Sequence, residues 1–342
     1  MSSLIARELA LQAWCEAQTG HRQERLEPVS GDASFRRYFR TSDGQRSLIA
    51  VDAPPPQEAL QPFIAIAESY AEAGVNVPQV IAADEQQGFM LLTDLGSTLL
   101  LGELHEHSMS HWYQRALTDL AAVMSVTDTR LGQLPAYDEA LLRRELSLFP
   151  DWLLQRHLGL QLSSAEQKLW QQFTEVMVNN ALQQPQVGVH RDYHARNMMV
   201  IGPQQLAYID FQDAVVGPIT YDAVSLLRDC YVRWPQTQVQ QLAEFLRQQL
   251  QQQRLLSTDV SAEQWQRWFD FMGLQRHSKA AGIFARLYHR DGKPGYLPDI
   301  PRTVSYLVDI SAGYAELQPY HQWLQNKVLS ALAQASDSEF SQ

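Results

Sequence analysis

Residues 190–197 read His-Arg-Asp-Tyr-His-Ala-Arg-Asn, and Asp210 follows in the segment LAYIDFQD. Two chemistries use residues of these types. His190 and His194 have the spacing of the zinc-binding H-E-x-x-H pair, but that motif needs a helix and a Glu after the first His. Arg191 stands there instead, and the flanking segments VGV (187–189) and NMMVIG (197–202) have the apolar, β-branched content of strands. Asp192, Asn197 and Asp210 supply two carboxylates and one amide oxygen. Mg²⁺ is a hard ion that takes few protein oxygens and keeps its other positions for water and phosphate. One carboxylate and one neutral amide meet that need, while a carboxylate held off the metal can take the proton of an attacking hydroxyl. The set predicts phosphoryl transfer, with Asp192 as base and Asn197 and Asp210 as metal ligands. A polar turn without chemistry would leave their joint presence to coincidence.

These residues need a frame. A strand leads into the loop, NMMVIG and LAYID form a hairpin around GPQQ (202–205), and Asp210 ends the returning strand. A hairpin returns its end to its beginning, so Asp210 is expected near Asn197 and Asp192. The spacing H-R-D-x-x-x-x-N matches the protein-kinase catalytic loop, and Ile209-Asp210-Phe211 stands where the D-F-G aspartate would. The start of the chain has apolar residues at helical spacing. Turn-forming stretches then separate β-rich runs at 25–30, 35–41 and 46–52, a helix fits 57–73, and strands fit 77–84 and 89–95. From about residue 98 helical periodicity takes over, at 109–126, 138–157, 164–183, 219–230, 236–255, 262–287 and 303–335, interrupted by β character at 187–211. The periodicity gives a small β-rich front portion and a large, mainly helical back portion, with the boundary near residues 95–100. The resemblance to the kinase catalytic loop implies an α+β, two-lobed, protein-kinase-like fold, with a nucleotide-binding N-lobe (1–97), a hinge at 91–96 and a C-lobe (98–342) that carries the catalytic loop and acceptor site.

Bulk properties narrow the partners. The 342 residues carry a net charge of −11 and 45% apolar residues, so the chain as a whole offers no field that attracts nucleic acid or anionic lipid. The only cysteines, Cys15 and Cys230, are too few for a disulfide framework. The first helix is broken by Arg7, Glu8 and Glu16, unlike a signal peptide, and no window reaches the roughly 18–20 apolar residues of a membrane span. The expectation is a cytoplasmic protein with a small-molecule substrate and no nucleic acid, membrane or obligate protein partner.

The segments VHRDYHARN and LAYIDFQDAVVGPITYDAVSLL resemble the aminoglycoside phosphotransferase/choline kinase branch of the kinase-like fold. GDASFRRYFR, LIAVDAPP, LLTDLG, LFPDW, IDFQDAVVGPITYD and FARLYHRDGK are similar, more narrowly, to the bacterial anomeric N-acetylmuramate/N-acetylglucosamine kinases of cell-wall recycling, over about residues 22–325. The resemblance implies ATP and Mg²⁺ as cofactors and the C1 hydroxyl of an N-acetylated amino sugar as acceptor. It makes Asp192 the catalytic aspartate and Asn197 and Asp210 the magnesium ligands. Asp222 braces the catalytic loop, and His190 helps to shape it. A kinase of another small alcohol (an aminoglycoside or a choline-like acceptor) and a nucleotide-binding pseudokinase are the alternatives.

One departure bears on the nucleotide. The strand RSLIAVDAPP has no phosphate-binding Lys; Ala50, Val51 and Asp52 occupy the candidate positions, and the loop before it has only Gly31. The α and β phosphates are then expected to meet the loop backbone, Ser34 and an arginine from Arg36, Arg37 or Arg40. Alternation puts Arg36 and Arg40 on one strand face and Arg37 on the other. In LLTDLG the resemblance implies that the backbone of Thr93, Asp94 and Leu95 meets the adenine edge. On the acceptor side, Arg276, Lys279, Arg286 and Arg290 fall on one helix face, a basic stripe that would attract the lactyl carboxylate of N-acetylmuramate and repel a polycationic aminoglycoside. His277 lies beside the stripe, while Glu145 and Trp152 could bind sugar hydroxyls and the ring's C–H face.

Overall fold

The computed structural model describes residues 3–22, 25–29, 36–55 and 57–339. In chain order the first elements are helix α1 (Ser3–Thr19), strands β1 (Glu27–Pro28), β2 (Arg37–Ser42) and β3 (Ser47–Asp52), helix α2 (Gln61–Glu72), and strands β4 (Val80–Asp84) and β5 (Phe89–Thr93). Helices α3 (Leu100–Glu103) and α4 (Met109–Met124), the short pair β6 (Asp128–Thr129) and β7 (Gly132–Gln133), α5 (Glu139–Leu148), a π-helical turn (Phe149–His157) and α6 (Ser164–Leu182) follow. Then come β8 (Gln186–Val189), β9 (Met198–Gly202), β10 (Gln205–Tyr208), β11 (Val215–Pro218), and helices α7 (Tyr221–Leu227), α8 (Gln236–Gln252), α9 (Ala262–Asp291) and α10 (Ile300–Ala312). The chain divides into two compact units, one of residues 1–108, 122–134 and 195–214, the other of 109–121, 135–194 and 215–342.

The first unit is built on an antiparallel sheet of order β1-β2-β3-β5-β4. Its register pairs Arg37 with Asp52, Phe39 with Ala50, and Ala50 with Leu91. Side chains alternate across a sheet, so these residues share one face. Phe39, Leu48, Ala50, Phe89 and Leu91 pack there in one core with Leu11 and Cys15 of α1 and with Leu26. Arg36, Tyr38, Arg40, Ile49, Val51, Met90 and Leu92 therefore belong to the opposite face. Asp52 sits at the end of the α1 face, only 1% exposed, and its carboxylate is clamped by Arg7 Nε at 3.0 Å and Arg37 Nε at 3.1 Å. Two guanidinium groups offset the cost of burying that charge. Pro54 and Pro55 stop β3, lacking the N–H that would extend the ladder. The β4–β5 turn requires Gly88: φ is +71°, and a Cβ there would lie 2.0 Å from the Ala53 carbonyl oxygen.

The second unit is largely helical, and α9 is its spine, in contact with α5, α6, α7, α8 and α10. Ser261 caps it, its Oγ accepting from the N–H of Gln264 at 3.2 Å. The helix lies directly on the end of α5: a Cβ on Gly282 would be 2.4 Å from both the carbonyl carbon and oxygen of Leu148. Among the described residues no helix is long and apolar enough to cross a membrane.

Several boundaries differ from the sequence reading. The run 25–30 forms only the two-residue β1, and GDAS lies outside the described residues. The span 138–157 is an α-helix that widens into a π-helical turn at Phe149–Pro150, where proline supplies no N–H. The single helix expected at 303–335 is broken after Ala312, at Gly313 and before Pro319. Strand β11 lies between the expected β segment (187–211) and the expected helix (219–230), and it ends in Gly217 and Pro218, residues that strands disfavour. Gly282→Ala should lower stability by about 1–3 kcal/mol, since the added methyl meets backbone and not a movable side chain. The measurement is the urea unfolding midpoint, and an unchanged midpoint would mean that α9 is not seated as described.

Candidate active site

Asp192 belongs to the helical unit. Strands β8 and β11 pair antiparallel, Val189 opposite Val215, and the loop 190–194 leaves the end of β8. Its backbone is fixed by Asp222 in the first turn of α7: Oδ2 accepts from the His190 N–H at 2.7 Å and Oδ1 from the Arg191 N–H at 3.0 Å. Burial pushes the Asp222 carboxyl up, the two amide donors pull it down and Asp192 pushes it up again, leaving it at about 7. Arg191 adopts φ +76°, a strained conformation for a residue with a side chain. Tyr193 anchors the loop further, its hydroxyl donating to the Ala116 carbonyl at 2.7 Å. The two histidine rings go to different neighbours, His190 to Tyr193 (5.7 Å between centroids) and His194 to Tyr231 (5.4 Å).

Behind this loop lies a buried polar network that the sequence did not announce. Glu145, 5% exposed, receives Arg191 Nη2 at 2.6 Å and Lys279 Nζ at 3.0 Å on the same oxygen. The Tyr137 hydroxyl bonds its other oxygen, Gln275 Nε2 donates to that hydroxyl at 2.9 Å, and Lys279 also donates to the Tyr221 hydroxyl at 2.9 Å. Burial pushes the Asp192 carboxyl up, but Lys279, His194, Arg191 and Arg276 outweigh it and hold it below the usual carboxylate range. Asp192 is thus an ionised carboxylate in a cationic setting.

Asn197 and Asp210 belong to the sheet-bearing unit. The β9–β10 hairpin brings them together: Asn197 Nδ2 lies 3.3 Å from Asp210 Oδ2, and the Asn197 carbonyl accepts from the Ile209 N–H at 3.0 Å. Asp210 has φ +65°, and its Oδ1 accepts from Gln212 Nε2 at 2.7 Å. Phe211 packs on Phe63 (4.7 Å) and Tyr70 (5.6 Å) of α2, which anchors the segment after Asp210. A carboxylate and an amide oxygen at one hairpin end are hard donors that suit Mg²⁺.

The remaining candidates fall out unevenly. Ser34 lies outside the described residues. Arg36 pairs with Glu58 at 3.0 Å, Arg37 is taken by Asp52, and Arg40 Nε bonds Asp94 Oδ2 at 2.7 Å. Asp94 also accepts from the Ser47 hydroxyl at 2.5 Å and the Gly96 N–H at 2.9 Å, so its side chain braces the strand end. Thr93 does not offer its N–H to an adenine edge: that group donates to the Gln79 carbonyl at 3.0 Å, within the sheet's edge pairing, whereas Leu95 lies beyond β5. His277 is not a sugar contact. Its ring is fully buried, stacked on Tyr306, with Nδ1 and Nε2 at 2.6 and 2.9 Å from the carbonyls of Gly273 and Arg228. Glu145 is not a spare carboxylate for sugar hydroxyls, because its two oxygens serve the network. The basic stripe is also less open than its spacing implies: Arg276 is buried with Nη1 at 3.8 Å from Cys230 Sγ, Lys279 is shared with Glu145, and Arg290 pairs with Asp291. Trp152 keeps a half-exposed ring, with the Arg156 guanidinium 5.3 Å from its centroid.

Comparisons with known proteins bear on this geometry. A profile of the phosphotransferase enzyme family matches residues 25–258. The chain is 47% identical over 292 residues to an N-acetylmuramate/N-acetylglucosamine kinase of Pseudomonas aeruginosa, covering 85% of each. It is 39% identical over 328 residues to a Neisseria meningitidis protein of the same name, covering 94% of this chain and 96% of the other. It shares its fold with aminoglycoside phosphotransferase APH(4)-Ia, solved with ADP and hygromycin B, at a TM-score of 0.60 and 12% identity over 90% of this chain and 99% of that one.

Two measurements check the helical-unit geometry. Asp222→Asn presents a single acceptor to two N–H groups and should cost about 1–3 kcal/mol in urea unfolding; no loss would show that the loop does not depend on it. Lys279→Met removes the strongest of the cations acting on Asp192 and should raise the Asp192 pKa, followed by ¹³C carboxyl shifts against pH. A titration that stays in place would remove Lys279 from the field at Asp192.

Proposed function

The chain belongs to the phosphotransferase enzyme family, and we propose that it is an ATP- and Mg²⁺-dependent kinase of the C1 hydroxyl of N-acetylmuramate and N-acetylglucosamine, acting in cell-wall sugar recycling. One observation carries the phosphoryl-transfer reading: an amide and a carboxylate, Asn197 and Asp210, are held at one hairpin end, downstream of a carboxylate, Asp192, that its cationic neighbours keep ionised. The relatives' names supply the acceptor, and the ADP in the structural neighbour supports the nucleotide.

In this reading the Asp192 carboxylate accepts the proton of the sugar's C1 hydroxyl as that oxygen attacks the γ-phosphorus, and the bond from phosphorus to the ADP oxygen breaks. A base must be unprotonated to act, so the cations that lower the Asp192 pKa keep it competent at neutral pH. Asp222 and the Arg191–Glu145 pair hold the loop that carries it. Asn197 and Asp210 would hold Mg²⁺, which supplies charge neutralisation at the phosphates. Trp152 offers a face to the sugar ring, and Arg276 and Lys279 set the positive potential that favours a carboxylate-bearing sugar over a polycation. The backbone beyond Thr93, at Asp94 and Leu95, would meet the adenine edge. The ATP requirement and two free, buried thiols suit the cytoplasm.

The test offers purified protein Mg·ATP with N-acetylmuramate, N-acetylglucosamine, kanamycin or choline. ADP release is followed and the product placed by ³¹P NMR. Phosphate at C1 of the amino sugars is expected; phosphate elsewhere, or transfer only to kanamycin or choline, would overturn the assignment. Asp192→Asn should keep ATP binding and lose about 10²- to 10⁴-fold in turnover. Undiminished turnover in that variant would show that another group takes the proton.

A further inference from the structure

Strand β3 carries no lysine, and its acidic residue faces the wrong way to help. In protein kinases a β3 lysine, bonded to a glutamate of the helix that follows, meets the nucleotide phosphates. Here Ile49 and Val51 occupy the sheet face away from α1, while Asp52 is buried on the α1 face between Arg7 and Arg37. That clamp joins α1 to the sheet and is not a phosphate site.

A second ion pair lies on the opposite face. Continuing the register that sets Arg37 against Asp52 brings Arg36 opposite Ala53, so its side chain leaves the same end of the face that a β3 lysine would use. Its Nη2 is 3.0 Å from Glu58 Oε2, with the two side chains 6% and 18% exposed. Glu58 lies three residues before the start of α2, the helix that follows β3. A cation is held at this depth only against a desolvation cost that its partner offsets. Arg40, the other arginine of this face, is engaged at the far end of β2 with Asp94 and with the Gly96 carbonyl at 3.2 Å.

We propose that the Arg36–Glu58 pair replaces the missing lysine–glutamate pair, with Arg36 contacting the α and β phosphates of ATP and Glu58 holding the guanidinium in place. This rests on the reading of the chain as an ATP-dependent kinase. The exchange of residue type is chemically sound: a guanidinium presents several N–H donors in a planar fork and can serve a carboxylate and a phosphate together, with a charge that does not titrate. It moves the phosphate cation from one strand to its neighbour while keeping the tie to the following helix. Phosphate binding and the start of α2 are thereby linked through one side chain.

The test compares ADP with adenosine by calorimetry, which isolates the phosphate contribution and needs no sugar turnover. Arg36→Gln should lose about 10- to 100-fold in ADP affinity with adenosine affinity unchanged. Arg36→Lys should recover part of the loss, and Glu58→Gln should show a smaller loss of the same kind. Arg37→Gln, on the α1 face, should leave the ratio of ADP to adenosine affinity as it is. An Arg36→Gln protein that keeps that ratio would overturn the proposal, as would one that loses adenosine and ADP alike, which marks a folding role. A native chain that binds neither probe would instead overturn the kinase reading beneath it.

Discussion

A carboxylate buried as deeply as that of Glu145 is tolerable only if positive charge comes to it. Arg191 and Lys279 both do so, and they come from different places: Glu145 from α5, Arg191 from the loop after β8, Lys279 from the middle of α9. One oxygen therefore fixes three elements against each other. The bare backbone at Gly282, one turn beyond Lys279, lets α9 approach closely enough for the lysine to reach. Because Arg191 is the neighbour of Asp192 in the chain, the same attraction that seats α9 also sets the field at the candidate base. Stability and reactivity here share their charges.

The sheet-bearing unit solves a similar problem twice, once on each face. On the α1 face two arginines serve one buried carboxylate; on the other, single arginines serve Glu58 and Asp94 at opposite ends of β2. The division follows from the two-residue period of a strand. Three arginines within five positions, Arg36, Arg37 and Arg40, look interchangeable in the sequence and end with unrelated partners.

Much of this was legible beforehand, and the pattern of what was not is instructive. The hairpin that brings Asn197 to Asp210 could be read because apolar runs, a glycine turn and polar residues repeat at short range. Helices such as α4, α6 and α8 were visible through their periodic apolar stripes. What escaped is long-range. Glu145 looked like a free acid beside an aromatic residue, since nothing local reveals that Arg191 and Lys279 converge on it. His277 looked like a site residue because it sits between Arg276 and Lys279, yet a helix turns about 100° per residue, and that rotation carries it into the core against Tyr306. Asp52 looked like a vacancy in a phosphate site, and only the docking of α1 shows that it has a task of its own.

That docking has a consequence for biosynthesis. Helix α1 leaves the ribosome ahead of every strand it packs against, and Phe89 and Leu91 of its core are synthesised some seventy residues after it ends. Until β5 is made, Arg7 can already meet Asp52 of β3, but Leu11 and Cys15 have only Leu26, Phe39, Leu48 and Ala50 of their core. The helix that closes one side of the sheet is therefore among the first segments made, yet its core is complete only with Phe89 and Leu91. In the five-stranded sheet, assembly waits on β5, the strand farthest along the chain.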